Sequence, residues 1–359
     1  MPPAPVSTGR HRVAILGATG AVGQAFVRLL ADHPWFDIAA VAASERSVGK
    51  SYAEAVHWVG DDRMPERVGA MPVLPCDPAV VDAEVVFSAL DASAAGEVEP
   101  AFARAGRFVL SNAKNYRMEP DVPLVIPEVN PEHLDVIGAQ RERRGWSGAI
   151  VTNGNCSAIP GAMVLAPLHR AFGVRRVFMA TMQAVSGAGY PGVPSLDILG
   201  NVIPFIRDEE PKIEIEINKM LGHVSHGAIR PAPFAVSAHA NRVPVEHGHT
   251  VCLSVEFEQS AGPDEVMALL RDWKGAEEAR GLPSAPARPL VLRDEPDRPQ
   301  PRRDRMEGNG MSLVVGRVRR DPLFHIKMVI MAHNIIRGAA GASVLNAELL
   351  AARGLLGSR

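Results

Sequence analysis

The chain is short of cysteine, has no surplus of positive charge and holds no apolar run of membrane-spanning length, and each shortage removes a class of protein. Its three cysteines, Cys76, Cys156 and Cys252, are odd in number and far apart in 359 residues. That argues against a disulfide framework and for a reducing cytoplasm. Lys and Arg number 38 against 40 Asp and Glu, a formal net charge of -2. No basic footprint for nucleic acid or polybasic membrane anchor follows from such a balance. The leader before Arg12 is polar and proline-containing and lacks the apolar core of a signal peptide, so a cytoplasmic protein is expected. Cysteines at zinc-ligand spacing are missing and the close histidine pair is His247-x-His249, so no metal is expected.

What is present is ordinary globular composition, 47% hydrophobic and 22% charged, in a chain long enough for two domains. Near the N-terminus the apolar run Arg12 to Leu16 meets Gly17-Ala18-Thr19-Gly20-Ala21-Val22-Gly23, and Gln24 to Leu30 continues at helical period. Strand, glycine turn and helix in that order form a relative of the dinucleotide fingerprint. One glycine makes the turn, one admits a pyrophosphate and one packs helix on strand. The next strand, Asp37 to Ala43, ends in Ser44-Glu45-Arg46-Ser47, where such folds read the adenosine ribose. Arg46 with Ser44 and Ser47 suits a 2′-phosphate and favours NADP, while Glu45 keeps NAD open. Strands at Ala83 to Leu90 and Arg107 to Leu110 flank a helical stretch from Ala94 to Ala105, the alternation of a parallel sheet. Ser88 and Asn112 fall at or just past the ends of those strands, where ligands of open α/β sheets bind. The charge run Arg141 to Arg144 reads as a solvated loop.

Cys156 lies in Thr152-Asn153-Gly154-Asn155-Cys156-Ser157, between a buried strand at Gly148 to Thr152 and a helix from Gly161 to Phe172 that Pro160 opens. The unpaired N–H groups of such a turn favour thiolate, so the residue is a candidate nucleophile; a buried structural cysteine is the competing reading. Beyond it the rhythm changes to long strands at Arg176 to Val185, Ser237 to Val245, His249 to Glu258, Met311 to Arg319 and Leu323 to Ala332, which predicts a mixed or antiparallel sheet. Gln183 precedes the small-residue turn Ser186-Gly187-Ala188-Gly189, fit to pass under a flat ring. Glu216 and Lys219 are i, i+3 neighbours on a helix from Pro211 to Leu221, a spacing that also describes a plain surface ion pair. Arg242-Val243-Pro244-Val245 leads to Gly248-His249, and a histidine is the commonest partner of a reactive thiol. The segment Glu295 to Glu307, dense in proline and charge, reads as an exposed mobile loop or interface edge; Gly338 to Arg353 reads as a helix that packs back on the first domain.

With these motifs in view, the chain resembles the aspartate-semialdehyde dehydrogenases, in their archaeal and fungal branch. The resemblance is carried by the glycine turn, Ser111 to Arg117, Thr152 to Ser157, Ser186 to Gly189, Glu216 with Lys219, Arg242 to Val245 with Gly248-His249, and Asn334. It implies a glyceraldehyde-phosphate-dehydrogenase-like α/β architecture: an N-terminal Rossmann-type parallel sheet (10–150 plus 334–359) and an α+β catalytic and dimerisation domain with a mixed sheet (151–333). The implied reaction is NADPH-dependent conversion of aspartyl 4-phosphate to aspartate 4-semialdehyde and phosphate through a Cys156 thioester, in a homodimer or dimer of dimers. His249 would move protons and Gln183 orient the acyl group. Arg242 would take the substrate carboxylate, Glu216 its ammonium, and Lys219, Arg117 and Asn155 the phosphate. The cofactor would meet Gly17, Thr19, Gly20, Ala21, Val22, Gly23, Ser44, Arg46, Ser47, Ser88, Asn112, Ser186, Gly187 and Asn334. Malonyl-CoA reductase and N-acetylglutamyl-phosphate reductase, built on the same scaffold, remain alternatives. A silent NADP-sensing regulator would have little use for Cys156 and His249 together.

Overall fold

In the computed structural model, residues 10–60 and 62–357 are described; the leader expected to be loose lies mostly outside them. The first half builds a six-stranded parallel sheet from β1 (His11–Leu16), β2 (Phe36–Ala43), β3 (Val73–Pro75), β4 (Val85–Ser88), β5 (Phe108–Ser111) and β6 (Ala149–Thr152). Its order is β3-β2-β1-β4-β5-β6, so the chain changes direction between β1 and β4. At such a switch point the loops at the carboxyl ends of the strands part and leave a crevice. The first helix, Ala21–Leu30, enters that crevice from the glycine turn.

The second half follows β7 (Val174–Gln183) with a small hairpin, β8 (His223–Ser225) and β9 (Ala228–Arg230). Then come β10 (Ala235–Arg242), β11 (His249–Phe257), β12 (Leu290–Arg293), β13 (Leu313–Arg320) and β14 (Ile326–Ala332). These make a mixed sheet, β10-β7-β11-β14-β13-β12, parallel at its two outer pairs and antiparallel within. Alternation along β11 sends Val251, Leu253 and Val255 into the core and leaves Cys252 exposed on the opposite face. The core face is covered by the helix Ala158–Phe172, buried without a break from Ala158 to Leu168. The final helix, Gly341–Ala352, returns to the first sheet, where Val344, Leu345 and Leu349 join the core of Val13, Phe26 and Phe87. Both sheets and the returning helix match the architecture expected from sequence.

Of two loops expected from sequence, one is helical and the other is held in place by an ion-pair cluster. Arg141 to Arg144 is the last turn of a helix, Ile137–Arg144, closed by Gly145 in the left-handed region at φ 64°. The charges are not idle: Arg144 forks onto Asp121 at 2.7 and 2.6 Å, and Arg141 lies over the Phe108 ring. Glu295 to Glu307 is likewise ordered, because Asp304, 1% exposed, gathers Arg293, Arg298 and the Gln300 N–H around one carboxylate. A run of charge reads as solvated when sequence alone does not pair it with its counter-charges, whether distant like Asp121 or within the run like Asp304. Among the described residues no helix is long and apolar enough to cross a membrane.

Candidate active site

Cys156 sits where β6 gives way to the buried helix, and one side chain shapes the turn. The Asn155 Oδ1 accepts the N–H groups of Ser157, at 2.8 Å, and Ala158, at 3.2 Å, capping the helix from a position before it starts. Pro160 is then the third helical residue, inside the first turn where its missing N–H costs nothing. Behind the sulfur, Gly338 comes so near that a Cβ there would stand 2.7 Å from that of Cys156, so only glycine fits.

The sulfur meets His249 Nε2 at 3.2 Å. His249 is fully buried, and its Nδ1 accepts the Ala184 N–H at 3.0 Å. A nitrogen that accepts a backbone N–H carries no proton of its own, so the neutral ring bears its proton on Nε2, facing the sulfur. Burial, with Arg242 nearby, pushes the imidazole down to about 3. Burial and the Glu209 charge push the thiol up to about 12, against the pull of Lys212, Arg117 and Arg242. The resting pair is therefore thiol and neutral imidazole. The helix terminus expected to favour thiolate does not prevail against burial.

Glu209 was not anticipated. Its Oε1 accepts the Asn155 side-chain amide at 2.7 Å and the Gln183 amide at 3.1 Å, and its Oε2 pairs with Lys212 at 2.6 Å. Burial works against its charge, but Lys212 and the two amides hold the carboxyl below its usual range. Glu216 and Lys219, two turns further along the same face of the helix Glu209–Met220, have other partners. Glu216 accepts Arg117 Nη1 at 3.0 Å and the backbone N–H of Asn155. The Lys219 ammonium donates to the carbonyls of Arg117, Glu119 and Val122, at 2.5, 2.6 and 2.7 Å, and has no hydrogen to spare. Burial pushes it down to about 7.

The other basic groups close around the sulfur. Arg242, 6% exposed, donates to the Ala184 carbonyl at 2.8 Å. A Cβ on Gly187 would stand 2.9 Å from Arg242 Nη1 and 3.2 Å from the His249 ring, so the small-residue turn is as bare as the site requires. Arg117 also donates to the Asn112 carbonyl at 2.7 Å, while its Nε is buried without a partner. An unpaired guanidinium N–H beside a thiol fits an anionic oxygen not supplied by the chain.

The crevice of the first sheet fits a dinucleotide on three observations. Gly17 holds φ +71° under Ala89, whose carbonyl a Cβ would strike at 2.6 Å, and Gly23 packs against Gly17 just as tightly. Gly20 is exposed and the helix behind it has no side-chain cap, so the N–H groups opening at Ala21, Val22 and Gly23 are available to a phosphate; Thr19 flanks them half-buried. Ser88, fully buried at the end of β4, has an Oγ without a partner. Ser44, Glu45 and Arg46 lie exposed beyond β2, with Ser47 half-buried.

Two residues expected at the cofactor also tie elements together. Asn112 joins the Ser88 carbonyl, Asn153 and Ser343 of the final helix. Asn334 accepts the Gly248 N–H and donates to Ser186 Oγ, each at 2.9 Å. A cavity of about 330 Å³ opens between the first helix and the Ser186 turn, lined by Ala21, Gln24, Ser186, Tyr190 and Ile335.

Family models match both halves: "Semialdehyde dehydrogenase, NAD binding domain" over residues 12–137 and "Semialdehyde dehydrogenase, dimerisation domain" over residues 165–337. The aspartate-semialdehyde dehydrogenase of Archaeoglobus fulgidus is 52% identical over 341 residues, 95% of this chain and 98% of that one. That of Schizosaccharomyces pombe is 48% identical over 353 residues, 96% of this chain and 99% of the other. Among solved structures, the aspartate semialdehyde dehydrogenase of Candida albicans with NADP superposes with a TM-score of 0.89 at 43% identity, covering 97% of this chain and 100% of that one. The Vibrio cholerae enzyme II complexed with ASA gives 0.75 at 27%, covering 96% and 98%. With identity spread along nearly its whole length and the cysteine–histidine pair in the cleft between two sheets, the chain belongs to the aspartate-semialdehyde dehydrogenase family.

Proposed function

We propose that the protein is an NADP-dependent, phosphorylating aspartate-semialdehyde dehydrogenase, interconverting aspartyl 4-phosphate and aspartate 4-semialdehyde in amino-acid biosynthesis. The observation that carries this is the set of groups around one sulfur: an imidazole N–H, a carboxylate for an ammonium, and arginines for two anions. Malonyl-CoA reduction leaves Glu209 without a cationic partner from substrate, and an N-acetylated substrate has no ammonium to offer.

The residue roles follow from position. Glu209, not Glu216, takes the substrate ammonium, because it faces the amides of Asn155 and Gln183 while Glu216 is spent on Arg117 and Asn155 N–H. Lys212, not Lys219, joins Arg117 at the phosphate; it retains 24% side-chain exposure. Arg242 takes the carboxylate by its planar fork and Gln183 orients the acyl group. An ammonium seated on Glu209 cancels a charge that raises the thiol, so substrate binding itself moves Cys156 toward thiolate.

The Cys156 thiolate attacks the acyl phosphate, the phosphate leaves with the proton the thiol has given up, and a thioester remains. The dinucleotide, when bound, supplies the hydride for that carbonyl. The oxyanion so formed is stabilised by His249 Nε2–H, and its collapse expels the Cys156 thiolate into the same hydrogen bond. His249 thus serves as a neutral donor. The sequence suggested a proton shuttle, but Ala184 N–H occupies the nitrogen that a shuttle would protonate.

Residues 10–150 with 334–359 form the dinucleotide half and 151–333 the catalytic half. The half-exposed face of the mixed sheet, where Ala180, Cys252 and Val329 align across β7, β11 and β14, is the surface of a homodimer. The scarcity of cysteine supports a cytoplasmic enzyme. Mixing the protein with aspartate semialdehyde, phosphate and NADP tests the reading. Growth of absorbance from NADPH that depends on phosphate is expected, and none would refute it.

A further inference from the structure

We infer that Glu216 is a positioning residue that ties Arg117, the proposed phosphate ligand, to the turn carrying Cys156. The inference rests on the proposed phosphate role of Arg117. Glu209 and Glu216 are seven apart, two turns, on one face of a single helix, and both hold Asn155. Glu209 takes its side-chain amide at 2.7 Å, and Glu216 takes its backbone N–H, the one next before the nucleophile. The other Glu216 oxygen holds Arg117 Nη1 at 3.0 Å. Glu216, 1% exposed, spends its two oxygens on these two elements, and it is Glu209, not Glu216, whose charge acts on the Cys156 thiol.

Lys219, one turn on, braces the same arrangement. Its three bonds to the carbonyls of Arg117, Glu119 and Val122 pin the turn from which Arg117 projects to the helix bearing Glu216. The distance between anion-binding guanidinium and attacking sulfur is thereby set through one carboxylate. Loss of that carboxylate frees both ends at once, so its effect falls on phosphate and on the thiol, not on the substrate amine.

The test uses the full-length enzyme in the phosphorylating direction. Glu216→Gln places an amide N–H against one of two donors, so the KM for phosphate is expected to rise roughly tenfold to a hundredfold. The KM for aspartate semialdehyde should stay at the wild-type value. Cys156 should be alkylated faster by iodoacetamide without substrates, because the loosened turn exposes a half-buried sulfur. In the Arg117→Ala background, Glu216→Gln should add nothing further to the phosphate KM yet still speed alkylation. A raised KM for aspartate semialdehyde, with phosphate KM and alkylation unchanged, overturns the inference and makes Glu216 a substrate ligand. If Glu216→Gln does not fold, Lys219→Met decides: a raised phosphate KM supports the brace, and an unchanged one removes it. Should the wild type show no phosphate-dependent turnover, the functional reading fails, while the alkylation rates still judge the positioning.

Discussion

His249 is the residue whose chemistry the structure constrains most. A donor that never changes protonation state can be replaced by another donor of similar reach. His249→Gln should therefore keep much of the turnover, while His249→Ala should lose roughly 10²–10³-fold, the cost of an oxyanion donor. If Gln proves as poor as Ala, the ring moves protons and the tautomer argument fails. Cys156→Ala should abolish turnover, since the covalent route is gone. Glu99 carries a separate expectation. Burial raises it to about 7, against the hydrogen bond from Ser111. The folded state then keeps a proton that the unfolded chain releases near 4.5. Stability from this group is present at low pH and is lost as pH rises from that value through about 7. Glu99→Gln should flatten that part of a pH–melting-temperature profile relative to wild type; parallel profiles would show that Glu99 is not protonated. The pairing of Cys156 with His249 was legible because few residue types do this work, and turn and strand placed them at element ends. The tautomer was not, because Ala184 offers a backbone N–H that any residue but proline has.

Four residues of the helix Glu209–Met220 show where reading by pattern runs out. Glu209, Lys212, Glu216 and Lys219 follow i, i+3, i+7 and i+10, so all four share a face and both Glu-x-x-Lys pairs meet the same rule. Only the helix's height against Cys156 separates substrate ligand from brace, and no periodicity encodes height. Glu209→Gln should weaken binding of aspartate semialdehyde by about 1.5–3 kcal/mol, seen as a raised KM. An analogue without the amine should be indifferent to the change. Equal effects on both would remove the ammonium from Glu209. The segment Pro301–Asp304 teaches the same lesson. Pro301 presses on Gly248, whose φ of +100° sets up the approach to His249, and Asp304 holds the segment there. Asp304→Ala takes the buried carboxylate from two guanidinium groups and leaves them only Glu307 and Glu295. Both guanidinium groups are partly exposed, so the loss in stability should fall below the about 3–5 kcal/mol of a fully buried pair, with a fall in kcat through His249. A stable variant with normal kcat would sever that link.

For the whole molecule, the parallel sheet, the mixed sheet and the returning helix were legible because strand length, glycine turns and apolar period act over many residues at once. Short edge strands such as β3 and β12 were not, since three or four residues carry too little pattern. Cofactor choice belongs to this scale, because the role proposed for Arg46 acts from the rim of one half on a ligand shared by both. Arg46→Ser should narrow the preference for NADP over NAD, and more so at low salt, where an exposed charge is least screened. Equal rates with both cofactors in the wild type would remove Arg46 from the argument. Cys252→Arg places a charge at the centre of the exposed sheet face and should shift sedimentation toward monomer.

Gly338, pressed against Cys156, gives the protein an order of events during its own synthesis. The nucleophile leaves the ribosome before the glycine that packs against its Cβ and before the helix that completes the first core, since both follow it in the sequence. A nascent chain halted short of Gly338 carries Cys156 with one side of its chamber missing. Until Gly338 packs against the Cβ and backbone of Cys156 the turn carrying the nucleophile is unfinished, so the newborn polypeptide holds its reactive residue in a less constrained setting than the folded enzyme does.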